Sequence, residues 1–241
     1  MRYSSHFKVS RIRHLSSRLI INLCVTAAIM VVLFIIFRID LSVFLGDFWL
    51  SLTRVSAAYA ISLLLALVLT LVTLQTAVSE NILLPILDVL QSFPSFALIP
   101  LLAIYFGRSN SSVVIVLSIA MIWPILFATI SAFKGTKPDL SEAATIFGAV
   151  GWKRLWYFTL PAISSGIVTG SIVAWGEAWD VIIGAEIILR TGGLGQYFSR
   201  FGETASIKPL LAIAGLLLII YLINKLVWLP LLTQVTKYQN E

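Results

Sequence analysis

Long apolar runs separated by short polar stretches dominate the chain, and their lengths set the first expectation. Crossing the hydrocarbon core of a bilayer takes about 20 apolar residues in a helix. Residues 19–37 form an apolar run of 19 residues. It is too long for the apolar region of a signal peptide, and no small-residue cleavage site follows it. It is therefore expected to be the first membrane helix. Further spans are predicted at 51–74, 82–106, 112–132, 161–183 and 210–229. The polar stretches between them are read as loops: 38–50, with Asp40, Gly46 and Asp47, outside; 75–81, with Glu80, inside; 107–110 outside; 133–160 inside; 184–209 outside. The expected fold is all-α, a single polytopic membrane domain over residues 1–241 with about six transmembrane helices.

Polar and helix-breaking residues inside the runs are the next signal. The third predicted span holds Pro85, Pro94 and Pro100, and the fourth holds Pro124. Prolines free backbone carbonyls, and such backbone persists in lipid only where protein or water satisfies it. Around Pro94 lie Gln91, Ser92, Phe93 and Ser95, a Ser-bearing segment able to line a pathway and to offer hydrogen bonds to an oxyanion. Interhelical hydrogen bonding is the structural alternative. The fifth span gathers Thr169, Trp175, Glu177, Trp179 and Asp180 toward its outer end. Glu177 and Asp180, three apart, share a helix face. They are candidates for an outer gate, for pairing with Arg54 or Arg190, or for markers of the water interface. An acidic pair repels an anionic solute unless it is neutralised. Arg54, near the outer end of the second span, is expected to snorkel to the interface.

The loop 133–160 is unusual. Lys134, Lys137, Lys153 and Arg154 hold it at a water-facing surface, yet the residues between are Ala, Ile, Phe and Gly. Asp139 followed by Glu142 is a capping-box-like start with Asp in place of Ser or Thr. Gly148 sits where a glycine ends a short helix. A second short helix is expected at 151–158, with Pro161 opening the next span. Helices this short are marginal alone in water and need a surface to pack on.

Composition agrees with a membrane protein. The chain is 59% hydrophobic and 12% charged, where a soluble domain is roughly half apolar and about a quarter charged. Its mean hydropathy is +0.98. The net charge of +6 follows the topology and is no nucleic-acid signal. Predicted inside segments carry ten basic residues (Arg2, Lys8, Arg11, Arg13, Arg18, Lys134, Lys137, Lys153, Arg154, Lys237) against five outside (Arg38, Arg108, Arg190, Arg200, Lys208). That bias puts the basic tail 1–18, both termini and the loop 133–160 in the cytoplasm. The tail is also able to meet anionic lipid. Cys24 is the single cysteine, so no internal disulfide forms. His6 and His14 both fall in the tail, and no metal site is expected. No Gly-Lys dipeptide occurs, which excludes the loop that cradles nucleotide phosphates. No catalytic constellation is present, so the chain is not expected to be an enzyme.

The pattern Glu142-Ala143-Ala144, three residues, Gly148, nine residues, Phe158, one residue, Leu160-Pro161 resembles the cytoplasmic loop of ABC-importer permeases. Phe158 stands where Ile is common in that family. Leu84 to Pro100, Ser51-Leu-Thr-Arg54, Ala185-Glu186 and Gly193-Leu-Gly195 are similar to patterns of its nitrate, sulfonate, taurine and bicarbonate branch, so the likeness covers roughly residues 51–200. The resemblance implies the type I importer permease fold in a bacterial or archaeal cytoplasmic membrane. It implies a coupling helix, at Glu142, Ala143, Ala144, Ile146, Phe147, Gly148 and Ala149, that docks on an ATPase subunit. In that picture Glu142 caps and orients the helix, the alanines allow close approach and Gly148 provides the turn. The implied partners are two ATPase subunits, which bind ATP and Mg, a second permease chain (a homodimer), and an external binding protein. This chain itself is expected to hold no cofactor. The expected activity is alternating-access import of a small solute, an anion such as nitrate, bicarbonate, a sulfonate or taurine. Two other readings are a self-sufficient six-helix secondary transporter or channel, and a structural membrane protein. The first does not explain an Ala-rich capped cytoplasmic helix. The second needs no polar residues within its spans.

Overall fold

The structure, a computed structural model, describes residues 40–74, 76–200 and 207–239, together with Ala28, Val32 and Ile35. The basic tail and the rest of the predicted first span lie outside the described residues. Among the described residues the chain is helical, with no strand.

Helix α1, Leu41–Thr73, is capped by Asp40, whose Oδ1 accepts from the backbone N–H groups of Ser42 (3.0 Å) and Val43 (3.3 Å) and from Ser42 Oγ (2.7 Å). The Ser42 hydroxyl is the largest of the influences that hold this carboxyl below the usual carboxylate range. The predicted loop 38–50 is thus largely helix. An N-cap at Asp40 starts it, and Phe44 and Phe48, one turn apart, are buried near its N-terminal end. Phe44 meets Tyr197 edge-on and Phe48 stacks on Trp179.

The predicted third span is broken. Helix α2, Ala77–Gln91, ends at Ser92–Pro94, a 3₁₀ turn follows at Ser95–Ala97, and α3, Leu98–Phe106, leaves at an angle. The halves are bent by 69°. Of the three prolines only Pro94 breaks the helix. It has no N–H, and it pushes Phe93 out of helical geometry. The chain before it tightens, with Ser92 N–H donating to Val89 O and Phe93 N–H to Leu90 O, both 3.2 Å. Pro85 stays within α2. Pro100 sits in the first turn of α3, where a missing N–H costs least.

Helix α4, Asn110–Lys134, matches the predicted fourth span with a turn added. Its most apolar window is 56% buried, against 28% for α1 and 17% for the run Lys208–Thr236, so α4 is the centre of the bundle. Two stripes of small residues let neighbours close on it, as small residues do between membrane helices. Ala58, Ser62 and Ala66 of α1 are fully buried, and Ser62 Oγ donates to Ser118 O at 2.9 Å.

On the other side comes α7. A Cβ on Gly166 would collide with the carbonyl oxygen of Ala128, and one on Gly170 would lie 2.6 Å from that of Pro124. The α4–α7 contact is therefore backbone against backbone.

The loop between them holds α5, Pro138–Ile146, and α6, Trp152–Arg154. A π-helical turn, Leu155–Thr159, carries α6 without a break into α7, Leu160–Leu189. The second short helix is therefore the start of the next long one, and Pro161 lies in its first turn rather than at a new beginning. Helix α7 also runs beyond its predicted end at residue 183. A short α8, Leu194–Ser199, follows, and then α9, Lys208–Ile223, a π-helical turn at Asn224–Trp228, and α10, Leu229–Gln239.

Among the described residues three helical runs are long and apolar enough to cross a membrane, or four with the bent pair counted as one span. Helix α7 is long enough but carries Glu177, Asp180 and Glu186, which lower its hydropathy. Glu177 and Asp180 line a cavity, and Glu186 meets a buried partner. Three ion pairs join residues that the charge pattern placed on one side: Lys134–Glu80 at 2.6 Å inside, and Arg54–Glu186 at 2.6 Å and Arg200–Asp47 at 4.0 Å outside.

Candidate solute cavity and coupling loop

The break at Pro94 opens a cavity of about 590 Å³ between the bent pair, α4 and α7. It is lined by Gln91, Ser92, Phe93, Pro94, Ser95 and Phe96 from the break, by Ala120, Trp123, Pro124 and Phe127 from α4, and by Val173, Glu177, Asp180 and Val181 from α7. Six of the nine pathway candidates thus meet in one space: Gln91, Ser92, Phe93, Ser95, Glu177 and Asp180. Gln91 Nε2 donates to Asp88 Oδ1 at 2.6 Å, and Ser92 Oγ donates to Asp88 O at 3.2 Å. Glu177 and Asp180 are exposed toward the cavity side and have no ion pair among the described residues.

The other three candidates lie elsewhere. Trp175 is buried edge-on against Tyr59 and Trp228, and Tyr59 donates to Ser171 Oγ at 2.9 Å. Trp179 stacks on Phe48. Thr169 is exposed, two turns before Glu177 and outside the cavity lining. At 100° per residue, positions 175 and 179 point away from 173, 177 and 180. Nearness in sequence had grouped two opposite faces.

Arg54 does not snorkel. It is 4% exposed and paired with Glu186, which is fully buried. Arg54 Nη1 also donates to Gly192 O (3.1 Å), Nη2 to Asn110 Oδ1 (2.6 Å) and Thr191 O (2.8 Å), and Nε to Asn110 Oδ1 (3.1 Å). Glu186 accepts from Ser51 Oγ (2.8 Å) and from Gly195 N–H (2.9 Å), while Leu194 N–H donates to Ser51 Oγ (2.9 Å). This clasp ties α1, α4, α7 and the turn into α8. Its members were visible in the sequence as separate short patterns; their mutual contact was not.

At the other end, α5 is closed by a full Schellman motif. Gly148 N–H donates to Thr145 O at 3.0 Å and Ala149 N–H to Ala144 O at 2.9 Å, the two bonds that define it. Gly148 has φ +77° with nothing within 4 Å of a would-be Cβ, so backbone conformation and not space demands glycine there. The N-terminus differs from the expected capping box. The N-cap is Lys137, without a side-chain bond, Pro138 follows, and Asp139 supplies first-turn charge. Glu142 is exposed and closes no capping bond among the described residues. Arg154 instead braces the loop, donating to Ser141 Oγ at 2.8 Å and Thr145 Oγ1 at 3.3 Å and lying over the Phe158 ring. The motif leaves Ile146 82% and Phe147 88% exposed, with Val150 and Trp152 also uncovered. Ala143, Ala144 and Ala149 are half-buried beside them.

Comparison with known proteins gives this architecture a family. Residues 64–228 match the model of the binding-protein-dependent transport system inner membrane component. The chain is 27% identical to the taurine transport system permease protein of Escherichia coli (strain K12) over 79% of this chain and 70% of that protein. It is 30% identical to the nitrate import permease protein of Leptolyngbya laminosa, over 76% and 67%. It is 27% identical to the bicarbonate transport system permease protein of Synechococcus elongatus, over 60% and 53%. The chain therefore belongs to the family of binding-protein-dependent transport inner-membrane components, the multi-pass permease subunits of ABC transporters.

Proposed function

We propose that the chain is the membrane-spanning subunit of an ATP-driven importer of a small solute. Two copies face each other, two ATPase subunits dock on the loops at 142–149, and an external binding protein delivers the solute. Both termini lie in the cytoplasm. ATP and Mg are held by the ATPase subunits, and this chain contributes no catalytic group. Closure of the ATPase dimer draws the two loops together and rocks the helices from inward-open to outward-open, a rigid-body transition. The relatives named for taurine, nitrate and bicarbonate support a small, oxyanion-bearing solute.

One observation carries this reading. A rigid, Schellman-closed helix holds two large apolar side chains almost fully exposed on a water-facing loop. An apolar patch of this kind marks a protein-binding surface. The π-turn joins that loop to α7, which lines the cavity, so a push on the loop is transmitted to the cavity wall.

The test is ATP-dependent solute uptake by proteoliposomes holding the chain with its ATPase and binding protein. Gly148→Asp is expected to leave ATP hydrolysis running while uptake falls to background. Undiminished uptake by this variant contradicts the docking role, and uptake without ATP favours a self-sufficient transporter.

A further inference from the structure

We propose that the cavity selects a solute carrying a cationic nitrogen, so that the oxyanion-bearing solute is a zwitterion rather than a bare anion. The inference rests on the permease reading, since only then is the cavity a station on the solute's route. Every charged residue lining the cavity is acidic: Glu177 and Asp180, one turn apart on α7, with no Lys, Arg or His among the lining residues. Neither carboxylate has an ion pair among the described residues. The buried cation Arg54 spends all its donors on the clasp. A bare anion entering here meets two like charges at reduced dielectric with no cationic side chain in the lining to offset them. A cationic nitrogen meets two carboxylates.

The rest of the lining fits the same chemistry. Phe93, Phe96 and Trp123 line the cavity around the acids, and aromatic faces attract ammonium groups, most strongly when water is excluded. The Ser95 hydroxyl, on the same lining, is a hydrogen-bond donor for the anionic group. A solute with a positive and a negative group a few ångströms apart is matched at both.

The test uses the purified full-length chain in nanodiscs and reads tryptophan fluorescence during titration with taurine, glycine betaine or sodium nitrate. Trp123→Phe identifies the cavity signal. The expected result is saturable change with taurine or glycine betaine, lost in Trp123→Phe and weakened at least tenfold in Glu177→Gln/Asp180→Asn. Both acids are exposed, so this variant should fold, which size-exclusion and thermal unfolding check. Glu177→Lys should shift the response toward nitrate. Saturation by nitrate alone, or no response to either ammonium-bearing solute, overturns the proposal. Because no ATPase is present, these outcomes leave the docking reading to its own experiment.

Discussion

The two ends of the α4–α7 pair solve opposite problems. At the end that holds the clasp a charged pair is buried and every donor and acceptor of Arg54 and Glu186 finds a partner within the chain. At the other end the C-terminus of α5 is closed by its Schellman bonds, yet Ile146 and Phe147 are exposed. One end hides charge and the other displays hydrocarbon. The clasp is satisfied within one chain, whereas the loop leaves its largest apolar side chains uncovered.

The largest effect should come from unbalancing the clasp. Arg54→Met leaves Glu186 buried and unpaired, which costs about 3–5 kcal/mol. Thermal unfolding in detergent should show that loss, and Arg54→Met/Glu186→Met should recover much of it. A single variant as stable as wild type would mean that the outer end is not fixed by this pair. Next comes the spine. Gly166→Leu forces α7 off α4, and overpacking costs about 1–3 kcal/mol, again read in the unfolding midpoint. Gly148→Asp should cost about 1–2 kcal/mol locally through its left-handed backbone, while Gly148→Asn, which tolerates that conformation, should cost less. Phe147→Ser should sharpen the contrast most. Its stability should stay within about 0.5 kcal/mol of wild type while affinity for the ATPase drops at least tenfold, as for a truncated hot spot. The smallest effect belongs to Glu80→Gln. The partly exposed pair with Lys134 is worth about 0–1 kcal/mol, and high salt should erase the difference.

Much of the architecture was legible because membrane helices announce themselves. Residues 112–132 carry no charged residue and are mostly apolar, and the helix found there is longer by only two residues at each end. The glycine stop at 148 was legible because few residues other than glycine tolerate φ +77°. Three features were hidden for different physical reasons. The start of α1 was masked by Asp40 and Asp47, which read as loop residues although one is a cap and the other lies on a helix. The pairing of Arg54 with Glu186 spans 132 residues, and no local pattern specifies such a contact. The grouping of Trp175 and Trp179 with Glu177 and Asp180 ignored helix periodicity, which separates them onto a buried and a cavity face. The Gly166–Gly170 spacing was present in the sequence as a close-packing signal for membrane helices, and it marks a backbone-to-backbone contact between α7 and α4.

The most direct measurement of the central claim is affinity purification of the tagged chain from its native membrane in mild detergent, with the associated proteins identified and quantified by mass spectrometry. A stoichiometric ATPase subunit is predicted with wild type, and its loss is predicted with Phe147→Ser and Gly148→Asp while the clasp keeps the chain folded. Recovery of the chain alone, or equal ATPase recovery from wild type and both variants, would contradict the account.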